Sequence, residues 1–355
     1  MLVLKAMRLP IVLAIILILF TGLVFAQDLT WQIEGVVLTN PSAHKPTVIL
    51  LSNGKYRMYF SDDSGIESAI SQDAISFTLE KGVRLQGATP TIIKLPNGSW
   101  RMYFQTLENG KEILKSAASP DALKWTVEKG ARLSPGGEFD PDGIANPSVI
   151  SLPQGGYRMY YDGEIKKTEQ EVVKRILSAT SSDGVTWVKD PGVRINISEA
   201  PINAVSVWSA YAEYYELTKT YQIYFSAQKE NLPSEIYLAT SENGLLFNVS
   251  EEPQLTPGNN QSNSYQEPFL LTLPEAKRMY FVIGGSGIYS ATLKEFQSGN
   301  TSQTPNLLES IIERLNLKKI NLHLPENAEL YIVPTILLVG GAIVLILLWR
   351  AHPRR

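Results

Sequence analysis

Short apolar runs alternate with turn-forming residues over residues 29–296, a spacing typical of short β-strands. One run, an aromatic-Arg-Met-Tyr-aromatic segment or a close variant of it, occurs five times at intervals of roughly 45 to 65 residues. Recurrence of one segment at such a period indicates a repeated supersecondary unit. The copies begin at Tyr56, Trp100, Tyr157, Tyr221 and Lys277.

Each copy lies within a longer unit of predicted strands. A proline-led apolar run precedes the segment in four units, and Asn-Gly or Gly-Gly pairs between the two runs predict tight hairpins. A Ser-x-Asp/Asn turn follows downstream and ends in an aromatic residue that starts a fourth strand. The prolines are Pro46, Pro90, Pro147 and Pro268, and the turns run from Ser71 to Phe77, Ser119 to Trp125, Ser181 to Trp187 and Ser241 to Phe247.

The fifth unit ends near Thr292 without an aromatic fourth strand, and the start of the domain supplies the missing piece. The segment 29–34 is similar to 123–128, which is the fourth strand of the second unit. A first strand that completes the last unit closes a circular array of blades and removes its exposed edges. The pattern therefore predicts an all-β, five-bladed β-propeller over residues 27–296, closed by its N-terminal strand.

The two ends of the chain predict export and membrane anchoring. Residues 1–26 place Lys5 and Arg8 before an apolar run, as in a signal peptide, with an uncleaved anchor as the alternative. Residues 297–330 form a predicted stalk with a short amphipathic helix. Residues 331–349 carry no charge and predict a transmembrane helix, with a buried core helix as the alternative. The basic tail, 350–355, is expected to stay cytoplasmic, which leaves the propeller outside the cell on a single-pass membrane protein.

Composition excludes several partners and chemistries. The net charge is −3 and no basic stripe occurs in the middle of the chain, so we expect no nucleic-acid partner. Cysteine is absent, which excludes a thiol nucleophile. His44 is the only histidine in the predicted propeller, so no nitrogen and sulfur cluster is available for zinc. We therefore expect neither a metal ion nor a cofactor.

The five units, the "YRMYF" segment and the "SxDGxxW" turn resemble the five-bladed propellers of the arabinanase, levansucrase and invertase superfamily, which includes glycoside hydrolase families 43 and 32. The resemblance implies a central cavity with an aspartate base in blade one, a second aspartate in blade two and a glutamate acid in blade three. Here the residues before the prolines of those blades are Lys45, which follows His44, then Thr89 and Asn146. None is a carboxylate, so the resemblance does not extend to the hydrolytic residues.

Function is expected where the repeats disagree, because a reaction needs its acid and its base only once. The arginines that recur in phase are instead predicted to be scaffold residues that pair with turn carboxylates or carbonyls. Asp142 and Glu267 form a candidate acid–base pair, with solvated loop carboxylates as the alternative. Candidate ligand-binding residues near the expected cavity are His44, Lys45, Asp62, Asp63, Asp140 and Asn146.

Blade four lacks the leading proline and contains "VSVWSAYAEYYEL" in its place. Trp208 and Tyr211 are candidates for stacking against a sugar ring, and Glu213 for hydrogen bonding to its hydroxyls. The alternative is that these aromatic residues pack between blades.

Three functions remain open on these grounds. The first is a surface-displayed propeller that binds a glycan or another surface polymer in its axial pocket. The second is a membrane-tethered glycosidase that uses carboxylates other than the inherited ones. The third is a platform for a surface protein partner, with the pocket unused. In each case the lipid bilayer is contacted only through the C-terminal helix.

Overall fold

The computed structural model describes residues 29–168, 171–198, 202–257, 263–274 and 276–295, which form five antiparallel sheets of four strands each. The N-terminal strand is β1 (Leu29–Leu38). Blade one consists of β2 (His44–Leu50), β3 (Tyr56–Asp62), β4 (Gly65–Ser71) and β5 (Thr78–Leu79); blade two of β6 (Ala88–Lys94), β7 (Trp100–Glu108), β8 (Lys111–Ser119) and β9 (Thr126–Val127). Blade three consists of β10 (Gly143–Ser151), β11 (Tyr157–Lys166), β12 (Val172–Ser181) and β13 (Val188–Lys189); blade four of β14 (Ser206–Tyr215), β15 (Thr220–Gln228), β16 (Glu235–Ser241) and β17 (Asn248–Val249). Blade five contains β18 (Tyr265–Thr272), β19 (Lys277–Ile283) and β20 (Gly287–Glu295).

The N-terminal strand closes the ring, as the sequence predicts. Strand β1 lies antiparallel to β20, with Trp31 opposite Leu293 and Ile33 opposite Ala291. Blade five is therefore built from both ends of the domain, in the order β1-β20-β19-β18. The inner strands β2, β6, β10, β14 and β18 contact one another in sequence around the ring. The predicted five-bladed propeller is confirmed.

The hairpins between inner and second strands form at the predicted glycine pairs. Gly54 and Gly98 have φ angles of 80° and 84°, a backbone region that a residue with a Cβ rarely enters. The amide of Gly54 donates to the Leu51 carbonyl at 3.0 Å, and the Leu51 amide donates to the Lys55 carbonyl at 2.8 Å. These bonds keep the inner and second strands in register.

The repeated arginines are buried scaffold residues, as their recurrence predicts. The Arg57 Nε and Nη2 atoms donate to Glu80 at 2.7 and 2.9 Å, while Nη1 donates to the Ala122 carbonyl in blade two at 2.9 Å. Each guanidinium thus joins the end of its own blade to a turn of the next. Blade four has Gln222 and Ser250 at these two positions, so the cation and the anion are both replaced. The equivalent pairs are Arg101–Glu128, Arg158–Asp190 and Arg278–Glu34.

The Ser-x-Asp turns close on backbone amides, also as predicted. Asp73 Oδ1 accepts hydrogen bonds from the amides of Ile75 and Ser76 at 2.9 and 2.8 Å. These amide bonds lower the pKa of the Asp73 carboxyl well below its usual range. The charged carboxylate of Asp73 is therefore a fixed part of the turn. In the turns of blades two, three and four the same acceptor position is held by Asp121, Asp183 and Asn243.

Every inner strand carries a bulge at the same place, a feature that the sequence did not reveal. The register shifts by one step in all five blades where the inner strand meets the second strand. One residue of each bulge has a positive φ of 49–58° without being glycine, so five strained positions face the axis in phase. These bulge residues are Lys45, Thr89, Asn146, Ser209 and Glu267.

The predicted signal peptide, stalk, transmembrane helix and tail lie outside the described residues. Among the residues that are described, no helix has the length and hydropathy needed to cross a bilayer.

We expect the arginine bridges to be a main source of stability between blades. Arg101→Ala leaves Glu128 partly buried without its cation and should lower the free energy of unfolding by about 3 kcal/mol. The matched control is Gln222→Ala in blade four, which removes no ion pair and should cost less than about 1 kcal/mol. Urea denaturation of both variants measures the difference, and equal losses would contradict the assignment.

Candidate functional site

An axial cavity of about 570 Å³ opens where the inner strands begin. Its walls come from blades one, two, three and five, at the ends of the second strands and the starts of the third strands. The cavity therefore lies directly above the ring of bulges. Of the candidate site residues, the structure brings His44, Asp62, Asp63, Asp142, Asn146 and Glu267 to this cavity.

Lys45 fills the axis beneath the cavity. Its side chain crosses from blade one to blade four, where Nζ donates to Ser209 Oγ and to the Ala210 carbonyl, both at 2.9 Å. Only 3% of the residue is exposed, and this burial lowers the pKa of the ammonium to about 8. The predicted ligand-binding residue Lys45 is thus part of the floor and does not line the cavity.

Glu267 from blade five stands next to this cation. Its Oε2 accepts a hydrogen bond from the Lys45 amide at 2.7 Å and lies 3.5 Å from His44 Nδ1. Burial by itself would raise the pKa of Glu267. Hydrogen bonds from His44 and Lys45, together with the positive charges of both residues, outweigh that effect, so the pKa lies below its usual value. The hydrogen bond to Glu267 in turn raises the pKa of His44. Glu267 is therefore an ionised carboxylate held by blade one.

Asp162 is a second buried acid at the axis, and it belongs to blade three. It is fully buried and accepts hydrogen bonds from Asn146 Nδ2 at 2.6 Å and from the Ser209 amide at 2.9 Å. Burial raises the pKa of this carboxyl to about 7, against the opposing charges of Lys174 and Lys45. Asp162 supports the bulges of blades three and four and does not line the cavity.

Blades two and three build one wall from three charged side chains. Lys174 Nζ pairs with Glu164 Oε1 at 2.8 Å, and Glu112 lies against Glu164. Burial and then the negative charge of Glu164 raise the pKa of Glu112. The cavity thus contains one carboxyl that tends to hold a proton, Glu112, and one that tends to lose it, Glu267.

Sequence reasoning missed Glu112 and Lys174 as site residues. Strands β7 and β8 have 9 residues each and β11 and β12 have 10, against 7 in β3 and β4 of blade one. The extra residues extend these hairpins over the axis and bring their polar ends to the cavity. The signal was present as a longer interval between the arginine and the turn serine in blades two and three.

Four candidate residues lie elsewhere. Asp140 is buried in blade three, where it accepts from Lys189 Nζ at 2.5 Å and from the Tyr161 hydroxyl at 3.1 Å. Tyr211 and Glu213 line a second cavity, of about 440 Å³, where the inner strands end. Trp208 lines neither cavity. The structure therefore separates the blade-four aromatic residues from the axial site, and their role in binding stays a prediction.

The candidate pair Asp142 and Glu267 shares the axial cavity, but the two carboxyls differ in their settings. Asp142 is exposed at the mouth, and its Oδ2 accepts a hydrogen bond from the Lys166 amide at 2.8 Å. Glu267 is only 9% exposed and is bound by blade one. The cavity therefore offers carboxylates at two depths.

Comparison with solved structures identifies the fold. A thermostable family-43 glycoside hydrolase superposes with a TM-score of 0.61 at 18% identity, over 74% of this chain and 94% of that chain. An endo-arabinase from Bacteroides thetaiotaomicron superposes with a TM-score of 0.58 at 14% identity, over 77% and 99% of the two chains. The chain has the propeller fold of glycoside hydrolase family 43 and its relatives. No family model and no curated protein matches the sequence.

In this family-43-like propeller, the positions before the prolines of blades one to three are all bulge residues. Lys45, Thr89 and Asn146 occupy three equivalent sites around the axis, with φ angles of 49°, 53° and 49°. The resemblance implies carboxylates there, and this propeller has an ammonium, a hydroxyl and an amide. Its carboxylates reach the cavity from the blade-five bulge, from the second and third strands and the turn between them, and from the segment just before β10.

The contact between His44 and Glu267 should make stability depend on pH. Because the folded-state pKa of His44 is raised above 6.5, its stabilising contribution is complete below that pH and is lost as pH rises through the folded pKa. The effect should be below about 1 kcal/mol, since half of the His44 side chain is exposed.

Urea denaturation across this pH range tests the contact in the wild type and in His44→Gln. The pH-dependent stability advantage of the wild type over the variant should be largest well below pH 6.5 and should disappear well above the folded pKa of His44. Because Asp162 titrates in both proteins, the difference isolates His44. A difference that grows as pH rises would contradict the assignment.

Proposed function

We propose that this protein binds a glycan in its axial cavity and does not hydrolyse it. The observation that carries the proposal is the position of Lys45 at the blade-one bulge. Its amide binds Glu267 at 2.7 Å, and its ammonium is anchored across the axis to Ser209 at 2.9 Å. Glu267, the one bulge residue in this lining that is a carboxylate, is thereby committed to the protein.

Inverting hydrolysis needs two carboxyl groups about 6.5–9.5 Å apart with a water molecule between them. At the bulges of blades one to three, where the family resemblance implies its acids and base, the chain has Lys45, Thr89 and Asn146. Sugar recognition makes weaker demands, because hydroxyl groups need only well-placed donors and acceptors. The polar lining meets that demand, and the solved neighbours named as a glycoside hydrolase and an endo-arabinase support a carbohydrate ligand.

A hydrolase that uses other carboxylates is the second candidate, and one observation favours it. Glu112 and Glu267 line the same cavity with pKa values displaced in opposite directions. Such a displacement is typical of an acid and a base with separate roles. In this alternative Glu112 donates the proton to the leaving oxygen and Glu267 acts as the base.

We further propose that the propeller is displayed outside the cell on a C-terminal anchor. The support is the uncharged run 331–349, the arginines that follow it, and the apolar run behind Lys5 and Arg8. In this arrangement the axial cavity is accessible to polymers outside the cell.

The first test is binding and turnover of oligosaccharides by the full chain, purified in detergent. Calorimetry over a panel of neutral, amino and acidic oligosaccharides should detect binding, while no reducing sugar is released. Glu267→Gln should weaken binding about ten-fold, because it leaves the Lys45 amide only a neutral acceptor and removes the charge that pairs with His44 and Lys45, whereas Glu251→Gln, on the exposed surface, should have no effect.

Turnover of any oligosaccharide that Glu267→Gln, Asp142→Asn or Glu112→Gln abolishes would overturn the binding-only proposal. Failure to bind any glycan, together with co-purification of a surface protein, would favour the interaction platform.

The second test concerns the anchor. A chain that ends at residue 330 should leave the membrane fraction and be secreted, because it lacks the uncharged run. Protease added to intact cells should digest the propeller of the full chain but spare an epitope placed after Arg355. A truncated chain that stays in the membrane, or a protected propeller, would contradict the proposed display.

A further inference from the structure

We propose that this protein has a second carbohydrate site, at the opposite end of the propeller axis, which takes an uncharged sugar. The site is the cavity of about 440 Å³ where the inner strands end. It shares no lining residue with the axial cavity. It therefore goes beyond the proposed function, because its ligand binds in a different place.

The layer of strand bulges separates the two cavities. Lys45 crosses this layer to Ser209, and on the far side the Ala212 amide donates to Ser148 Oγ at 2.9 Å. Ala212 and Ser148 line the second cavity, whereas the bulge residue Asn146 lines the axial one. Protein atoms thus stand between a ligand in one cavity and a ligand in the other.

The second cavity has a hydroxyl wall and an aromatic wall. Two positions after each bulge, blades two and three carry Thr91 and Ser148, and blades four and five carry Tyr211 and Phe269. The two rings meet edge to face with their centroids 5.0 Å apart. A sugar ring has the same two-sided character, because its hydroxyls lie around its edge and its C–H groups cover its faces. The volume lies in the usual range of ligand pockets, roughly 300–1000 Å³.

Several hydroxyls in this lining are available to a ligand. Within the part of the chain that the structure describes, the hydroxyls of Thr91, Ser151 and Tyr214 form no hydrogen bond to the protein, and none of them is fully enclosed. In blade one the hydroxyl equivalent to that of Thr91 belongs to Thr47, and it is already bonded to the Pro90 carbonyl at 2.7 Å. The free hydroxyls can each donate and accept a hydrogen bond.

An ion pair beside the cavity replaces an apolar contact that the other four blade junctions share. In those junctions an aliphatic residue four positions after the bulge lies in one apolar cluster with the aromatic residue that begins the second strand of the next blade. Between blades four and five, Lys277 Nζ instead donates to Glu213 Oε1, and the two side chains are only 16% and 15% exposed. The four apolar pairs are Ile49–Trp100, Ile93–Tyr157, Ile150–Tyr221 and Leu271–Tyr56.

Packing does not require this substitution. A largely buried ion pair stabilises a protein little compared with apolar residues of similar volume, because desolvation of the charges offsets their attraction. Departures of this kind from a repeat are expected at functional sites. Glu213 lines the cavity, and its Oε2 accepts no hydrogen bond from the described residues. Glu213 therefore offers a ligand an acceptor whose charge Lys277 already balances.

The lining favours an uncharged sugar over other ligands. Among the described residues that form it there is no lysine, arginine or histidine, so an anionic ligand gains no ion pair. A sugar hydroxyl can donate to Glu213 while the ring packs against the aromatic wall. An apolar peptide side chain would cover Glu213 and the free hydroxyls without giving them partners, which is costly.

The test uses hydrogen exchange of the full chain in detergent, measured by mass spectrometry with maltohexaose, cellohexaose or arabinohexaose. At least one of these uncharged sugars should slow exchange in residues 211–216, which run along the second cavity, in a saturable way. Residues 142–146 report the axial cavity separately. An oligogalacturonate of the same length should leave residues 211–216 unchanged.

Three variants test the residues, with affinity taken from the sugar concentration that half-saturates the effect at residues 211–216. Glu213→Ile combined with Lys277→Tyr restores the apolar pair of the repeat, so it should unfold in no less urea than the wild type yet bind at least about ten-fold more weakly. Tyr214→Phe removes one free hydroxyl and should weaken binding about three-fold. Tyr215→Phe, at a neighbour that does not line the cavity, is the matched control and should change nothing.

Unchanged exchange at residues 211–216 with all three sugars would overturn the inference, and slowing at residues 142–146 in the same experiment would leave the proposed function intact. Slowing at residues 211–216 alone would support the second site and count against the axial one. Slowing that persists with the same affinity in the double variant and in Tyr214→Phe would overturn the inference. So would slowing by the peptide acetyl-leucyl-phenylalanyl-leucine amide and by none of the sugars.

Discussion

The fold depends on an edge-to-face aromatic contact that passes from each blade to the next. A tyrosine of each second strand meets an aromatic residue of the following blade, with ring centroids 5.6–6.2 Å apart. That residue comes directly before the outer strand in blades one to four and lies within β1 in blade five. Each contact is worth about 0.5–1.5 kcal/mol beyond the burial of the rings. The five contacts form a closed cycle: Tyr59–Trp125, Tyr103–Trp187, Tyr160–Phe247, Tyr224–Trp31 and Tyr280–Phe77.

Hydrogen bonds and ion pairs reinforce the same junctions. The hydroxyl of Tyr103 donates to the Gly184 carbonyl at 2.8 Å, next to the position where Arg101 reaches the same turn. Blade four departs from this pattern, since Gln222 replaces the arginine, yet Tyr224 keeps its contact with Trp31 of the N-terminal strand. The aromatic contact is therefore the part of the junction that all five blades share, and the ion pair is an addition in four of them.

The site follows from what the closed ring does at its centre. Five inner strands converge there, and a bulge in each one turns a polar residue toward the axis. Burial at the axis removes the carboxyl groups of Asp162 and Glu267 from water. The ammonium group of Lys45 supplies the opposite charge for both. The proposed function is then left to the cavity above, where the longer hairpins of blades two and three add Glu112 and Lys174. The floor of the cavity is thus built from the bulge that all five blades share, whereas its rim is built from the hairpins in which the blades differ.

The sequence by itself determined the number of blades, the closure by β1 and the scaffold role of the repeated arginines, because these follow from local patterns that occur once per repeat. It also brought His44, Asp142 and Glu267 forward as departures from the repeat, and the structure places them in one cavity. Only the tertiary structure decided that Lys45 is buried in the floor and that Asp140 serves blade three. The strand bulges and the neighbours across the axis set those outcomes, and both arise from packing between residues far apart in the chain.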